Sequence, residues 1–121
     1  MAVNASTKLV KPEDLNTSRL PPITRRAFLD CMQLRFFQKF PWYLAGGTAL
    51  TLQVGHRQSI DLDFFTAHNA FDELALERQL LKTGKWTTSL RQDGTLYGVF
   101  KKAKMSFIAY PFFRPSSEYL L

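Results

Sequence analysis

At 121 residues with 45% apolar content, the chain has the size and composition of one ordinary globular domain with a modest core. No run reaches the length of a transmembrane helix, the N-terminus lacks a signal-peptide core, and a lone cysteine, Cys31, excludes an internal disulfide. A cytoplasmic protein with no membrane role is therefore expected. The net charge of +6 favours polyanions such as RNA or nucleotides, though only weakly, since many basic domains bind neither.

Residues 1–19 are polar and show no clean period, which predicts a flexible N-terminal arm; Leu20-Pro21-Pro22 ends it, and a core domain is expected over 20–121. From Ile23 to Lys39, the residues Ile23, Ala27, Phe28, Cys31, Met32, Phe36 and Phe40 return at helical spacing, with Arg25, Arg26, Asp30 and Lys39 mostly between them. One amphipathic helix with an aromatic core stripe is predicted. Cys31 falls on that stripe, as a buried structural thiol rather than a nucleophile.

Pro41 separates this helix from the stretch that organises the chain, Trp42 to Phe65. An apolar run, Trp42 to Ala45, feeds Gly46-Gly47-Thr48, so a turn sits where a buried strand stops and a short helix, Thr48 to Val54, begins. Backbone N–H groups at such a turn are free to meet phosphate oxygens. Gly55 suits the left-handed position that ends the helix. In Ile60-Asp61-Leu62-Asp63-Phe64 the period of two sends Ile60, Leu62 and Phe64 to one face and Asp61 and Asp63 to the other. Two carboxylates about 6.6 Å apart along one strand repel unless a cation or water lies between them. Mg²⁺ suits the pair, because it takes one or two carboxylates together with substrate phosphates. A lone acid-x-acid or a lone Gly-Gly is commonplace; together in one strand-helix-strand unit they form a phosphate seat beside a metal seat. Arg57 either neutralises nucleotide phosphates or pairs with the aspartates. Ser59 shares the face of Asp61 and either binds a phosphate or caps a turn, and His56 reads as an orienting hydrogen-bonder.

Downstream, Asn69 is the expected N-cap of a helix reaching about Thr83, with Phe71, Leu74, Ala75 and Leu81 as its apolar side and Gly84 as its stop. Trp86 to Gln92, the Asp93-Gly94 turn and Thr95 to Lys101 predict a β-hairpin, and Lys104 to Tyr110 a last strand. Lys101, Lys102 and Lys104 would form an exposed basic patch near the sheet edge, equally a solvated face or an RNA contact. The order implies an α/β (α+β) domain with a mixed sheet and flanking helices.

GGTAL followed by GHRQSIDLDFF resembles the signature of the nucleotidyltransferase-like AbiEii toxin family, within the DNA-polymerase-β-like nucleotidyltransferase superfamily. The family's HRxSxDxDxF pattern is matched by His56, Arg57, Ser59, Asp61, Asp63 and Phe65. The resemblance is close over residues 42–66 and weaker at MSFIAYPF. It implies a Mg²⁺-dependent transfer in which a hydroxyl, often at an RNA 3′ end, attacks the α-phosphate of a nucleoside triphosphate and pyrophosphate leaves. Gly46, Gly47 and Thr48 would hold the triphosphate, and Asp61 and Asp63 would bind one metal ion or two. A toxin of a toxin–antitoxin pair, with a cognate antitoxin and tRNA as partners, is the role the family suggests.

The superfamily draws a third acid from a later strand, and here that place falls on Ser106 within Lys104 to Tyr110, where neither face carries a carboxylate. The family's helical region is also expected to lie beyond Leu121, which would make the chain a shortened nucleotidyltransferase-like core. The rival reading is therefore a catalytically inactive relative that binds nucleotide, RNA or a protein partner. A Mg²⁺-dependent phosphohydrolase using water on the same acids is a third.

Overall fold

The computed structural model describes residues 8–46 and 61–111. Among these described residues six strands form one mixed sheet: β1 (Lys8–Val10), β2 (Tyr43–Gly46), β3 (Leu62–Thr66), β4 (Trp86–Gln92), β5 (Thr95–Phe100) and β6 (Ala103–Ala109), in the spatial order β1-β2-β3-β6-β5-β4. All pairs are antiparallel except β3 with β6, which run parallel at the centre. With helices α1 (Pro22–Cys31), α2 (Arg35–Lys39) and α3 (Glu73–Lys82), this is the mixed α/β class read from the sequence.

The alternation along β3 and β6 decides which face is core. Leu62 and Phe64 on β3, with Met105 and Phe107 on β6, are buried against Ala27, Phe28 and Cys31 of α1 and Leu76 and Leu80 of α3. Phe64 and Phe107 are partners across the parallel pair, and their rings stack at 5.0 Å. Around them Trp42, Phe71 and Trp86 close the core edge-on and tilted, for instance Trp42 with Phe107 at 5.6 Å. The opposite face carries Asp63 and Ser106, and a small patch in which Phe65 is buried among Tyr43, Ile108 and Tyr110.

Three readings change in detail. The single helix expected over Ile23–Lys39 is two helices, broken at an extended Leu34. Continuing the register of Cys31 would turn Arg35 and Gln38 inward. The break resets the phase, so Phe37 instead meets Phe64 at 5.2 Å and Phe107 at 5.6 Å. Gln79 of α3 holds the new start by accepting from the Phe36 N–H at 3.0 Å. The N-cap of α3 is Asp72, not Asn69; its carboxylate accepts from the Ala75 N–H at 3.0 Å. Its buried side is Leu76 and Leu80, while Leu74 and Leu81 face solvent. Glu73 and Glu77, on that inner side, are drawn to the β4–β5 hairpin: Glu73 accepts from the Gly94 N–H at 2.7 Å, and Glu77 from the Thr88 hydroxyl at 2.6 Å.

Residues 8–19, expected within a flexible arm, carry β1 paired with β2 and two single 3₁₀ turns at Pro12–Asp14 and Thr17–Arg19. The hairpin expected around Asp93-Gly94 is present, with Gly94 in the left-handed region at φ 72°. Among the described residues no helix is long and apolar enough to cross a membrane.

Candidate functional site

Strand β3 lies between β2, which ends at Gly46, and β6. The parallel register sets Asp63 beside Ser106, and the Ser106 hydroxyl donates to Asp63 Oδ1 at 2.6 Å, in the range of an O–H bonded to a carboxylate. Asp63 is only 6% exposed, so this bond supplies a donor to a carboxylate largely removed from water. Asp61 immediately precedes β3 and is exposed. Both aspartates line one cavity of about 420 Å³, whose wall continues over Ser106 and Lys104 to Tyr97 and Ser89. The cavity lies on the face opposite the main core, where period-two alternation sends these side chains.

Register explains the composition of that wall. Asp63, Ser106, Tyr97 and Leu90 form one row straight across β3, β6, β5 and β4. Lys104, paired with Val99, stands one row nearer Asp61. Ser89 sits where the β4 register slips between Thr88 and Leu90, a bulge that re-aims the strand beside the cavity.

The sequence-predicted site residues divide into those the structure brings together and those outside the described residues. Asp61 and Asp63 share the cavity wall, and Gly46 ends the neighbouring strand on the other side of β3. Gly47, Thr48, His56, Arg57 and Ser59 lie outside the described residues. The oxygen donors on this wall are hard ones, the carboxylates of Asp61 and Asp63 and the hydroxyls of Ser106, Ser89 and Tyr97, and the carboxylates are the chemistry that Mg²⁺ accepts alongside phosphate oxygens. Among the described residues no three His, Cys, Asp or Glu side chains converge. The strand beside Asp63 thus contributes a hydroxyl and no carboxylate.

The basic patch separates into two environments. Lys101 and Lys102 form the β5–β6 turn, both with positive φ, and the Lys101 ammonium is paired with Asp30 of α1. Lys104 faces the cavity from β6, an interior strand, so the patch is not at the sheet edge. Tyr97 and Ser89 were not singled out by sequence reading, although a signal for Tyr97 exists. A two-residue turn at Lys101-Lys102 fixes Phe100 opposite Ala103, and counting back places Tyr97 opposite Ser106. Cys31 is fully buried, and burial, aided by the charge of Asp30, pushes its thiol up, as suits a structural side chain.

The family model described as Nucleotidyl transferase AbiEii toxin, Type IV TA system, matches residues 27–114. A protein of Aquifex aeolicus (strain VF5), named Uncharacterized protein aq_aa25, is 40% identical over 70 residues, which are 57% of this chain and 34% of that protein. The chain therefore spans about a third of the length of this curated relative. No solved structure matches the chain. Since the family match runs from within α1 past the end of β6 and takes in the whole cavity wall, the chain belongs to the AbiEii nucleotidyl transferase toxin family of type IV toxin–antitoxin systems.

Proposed function

We propose that the chain binds a nucleoside triphosphate together with Mg²⁺ and transfers its nucleotide to a hydroxyl acceptor such as tRNA, as the toxin of a pair that includes a cognate antitoxin. The observation that carries this reading is that Asp61 and Asp63 line a single cavity, with the strand ending in Gly46 on the other side of β3. In this reading Gly46, Gly47 and Thr48 seat the triphosphate, Arg57 offsets phosphate charge, and Ser59 donates a hydrogen bond to a phosphate oxygen. Asp61 and Asp63 would hold Mg²⁺, which when bound supplies Lewis-acid stabilisation of charge on phosphoryl oxygens.

The proton of the attacking hydroxyl needs an acceptor. Ser106 stands beside Asp63 and already donates a hydrogen bond to that carboxylate. A neutral hydroxyl is a poor base, and general-base assistance is typically worth about 10²–10⁴-fold in rate. We therefore expect triphosphate binding with slow transfer. The same observation favours a second reading, a nucleotide-, RNA- or partner-binding module without catalysis. Incubating the 121-residue protein with labelled nucleoside triphosphates, Mg²⁺ and total tRNA tests both. Slow or absent transfer with retained triphosphate binding is expected, and efficient transfer would show Ser106 to be no handicap. Release of inorganic phosphate in place of pyrophosphate would identify a phosphohydrolase instead.

A further inference from the structure

The cavity extends well beyond the two aspartates, and its far wall is not explained by a metal or a triphosphate. Gly46, where the triphosphate is placed above, flanks β3 on the β2 side. The cavity opens on the other side of β3, across β6 and β5. Attacking and leaving oxygens in phosphoryl transfer lie roughly in line on opposite sides of the phosphorus, so two substrates must approach the aspartates from opposite directions. The β5–β6 wall faces the direction away from Gly46.

Two side chains there have the chemistry of a nucleotide seat. Tyr97 is 38% exposed although it stands on an interior strand, and among the described residues no other ring packs on it. Its position in the Asp63–Ser106–Tyr97 row puts its Cα two strand spacings from that of Asp63, about 9.6 Å. Lys104 is exposed in the same cavity, and among the described residues it joins no ion pair, despite two carboxylates on the adjoining wall. An open aromatic face presents a stacking surface to any base, and a nearby ammonium neutralises a phosphate.

We infer that Tyr97 and Lys104 form a subsite for one unpaired nucleotide of the acceptor, its base stacked on the Tyr97 ring and its phosphate on the Lys104 ammonium, on the side of Asp63 away from Gly46. The assignment of this nucleotide to the acceptor rests on the nucleotidyl-transfer reading; the subsite itself rests on the cavity wall. Tyr97 and Lys104 are positioning residues, since neither touches the reacting phosphorus. Ser89, at the β4 bulge, lines the outer end of the same cavity.

Fluorescence anisotropy with a labelled, short single-stranded RNA bearing a free 3′ hydroxyl tests this in the presence of a chelator, where no metal is required. The wild-type chain should bind it. Tyr97→Ala should weaken binding about fivefold to a hundredfold, the range for losing one stacked base, while Tyr97→Phe, which keeps the ring, should bind as the wild type does. Lys104→Gln should reduce the salt dependence by the share of one phosphate, about 0.7 in the logarithmic slope for a single strand. The second arm measures binding of a free nucleoside triphosphate with Mg²⁺, which these substitutions should leave in place.

Absence of RNA binding, or equal RNA affinity in Tyr97→Ala and wild type, would overturn the subsite. So would a Tyr97→Phe variant as weak as Tyr97→Ala. Loss of triphosphate rather than RNA affinity in Tyr97→Ala would show that the wall holds the donor's own base. Failure of wild-type chain to bind triphosphate with Mg²⁺, with RNA binding intact and sensitive to Tyr97, would remove the nucleotidyl-transfer reading and leave a nucleotide seat.

Discussion

Replacing Ser106 by Asp places a carboxylate in the position where the site has a hydroxyl. Ser106 Oγ now lies 2.6 Å from Asp63 Oδ1, and Asp63 is only 6% exposed. A second carboxylate there would approach the first to about 4 Å, where two unit charges repel by about 4 kcal/mol at an effective dielectric of 20. Loss of the hydroxyl's hydrogen bond adds about 1 kcal/mol. Ser106 is half-buried, so water and proton uptake relieve part of this, and a net destabilisation of about 2–4 kcal/mol is expected without metal. At about 4 °C per kcal/mol for a domain of this size, Ser106→Asp should melt about 8–16 °C below the wild type in a chelator. Millimolar Mg²⁺ should recover much of that difference by screening the added charge, and should move the wild type less. Ser106→Ala, which loses the hydrogen bond without adding charge, should fall by about 1 kcal/mol and show no larger Mg²⁺ response than wild type. With a base restored, nucleotide transfer by Ser106→Asp should rise toward the 10²–10⁴-fold that general-base assistance typically contributes, about two to four decades. A Ser106→Asp protein that melts with the wild type, or gains no more from Mg²⁺, would refute the placement of Asp63 and residue 106 at one cation site.

Two further outcomes follow from the core. A Cβ at Gly98 would lie 2.4 Å from the Thr87 carbonyl oxygen and 2.4 Å from the Trp86 ring, so Gly98→Ala should cost about 1–3 kcal/mol, measured by chemical denaturation. The Cys31 thiol keeps its proton in the folded chain while the unfolded chain loses it above its ordinary value of 9.0, so stability should decline as pH rises past that point. The slope approaches about 1.4 kcal/mol per pH unit from this group, and Cys31→Ala should remove that share of the alkaline decline. Equal alkaline slopes in the two proteins would contradict the burial argument.

Much of the sheet was legible because its signals are local. The Asp93-Gly94 turn dictated the β4–β5 hairpin, and strict alternation in Leu62-Asp63-Phe64 and Met105-Ser106-Phe107 assigned both faces of the central pair. The placement of Ser106 beside Asp63 was likewise anticipated, there from family resemblance, and the parallel register makes it physical. What escaped was set by tertiary contacts. The break between α1 and α2 is enforced by Gln79 and by the demand of Phe64 and Phe107 for an inward Phe37, neither of which a helical period encodes. The face of α3 was misassigned because Leu74 and Leu81 are as apolar as Leu76 and Leu80; the hydrogen bonds of Glu73 and Glu77 to the hairpin decide between them. Tyr97 stayed hidden because its place opposite Ser106 depends on the tight turn at Lys101-Lys102, and a strand expected to run on to Lys101 leaves that turn out.

We propose above that Asp61 and Asp63 jointly hold a divalent cation and, through it, a nucleoside triphosphate. Calorimetric titration of each of the common nucleoside triphosphates into the wild type, Asp61→Ala and Asp63→Ala, with and without Mg²⁺, tests it most directly. Mg²⁺-dependent binding of at least one nucleotide by the wild type and its loss in both variants is expected, with the folded state checked by circular dichroism. Binding that persists unchanged in both variants would contradict it.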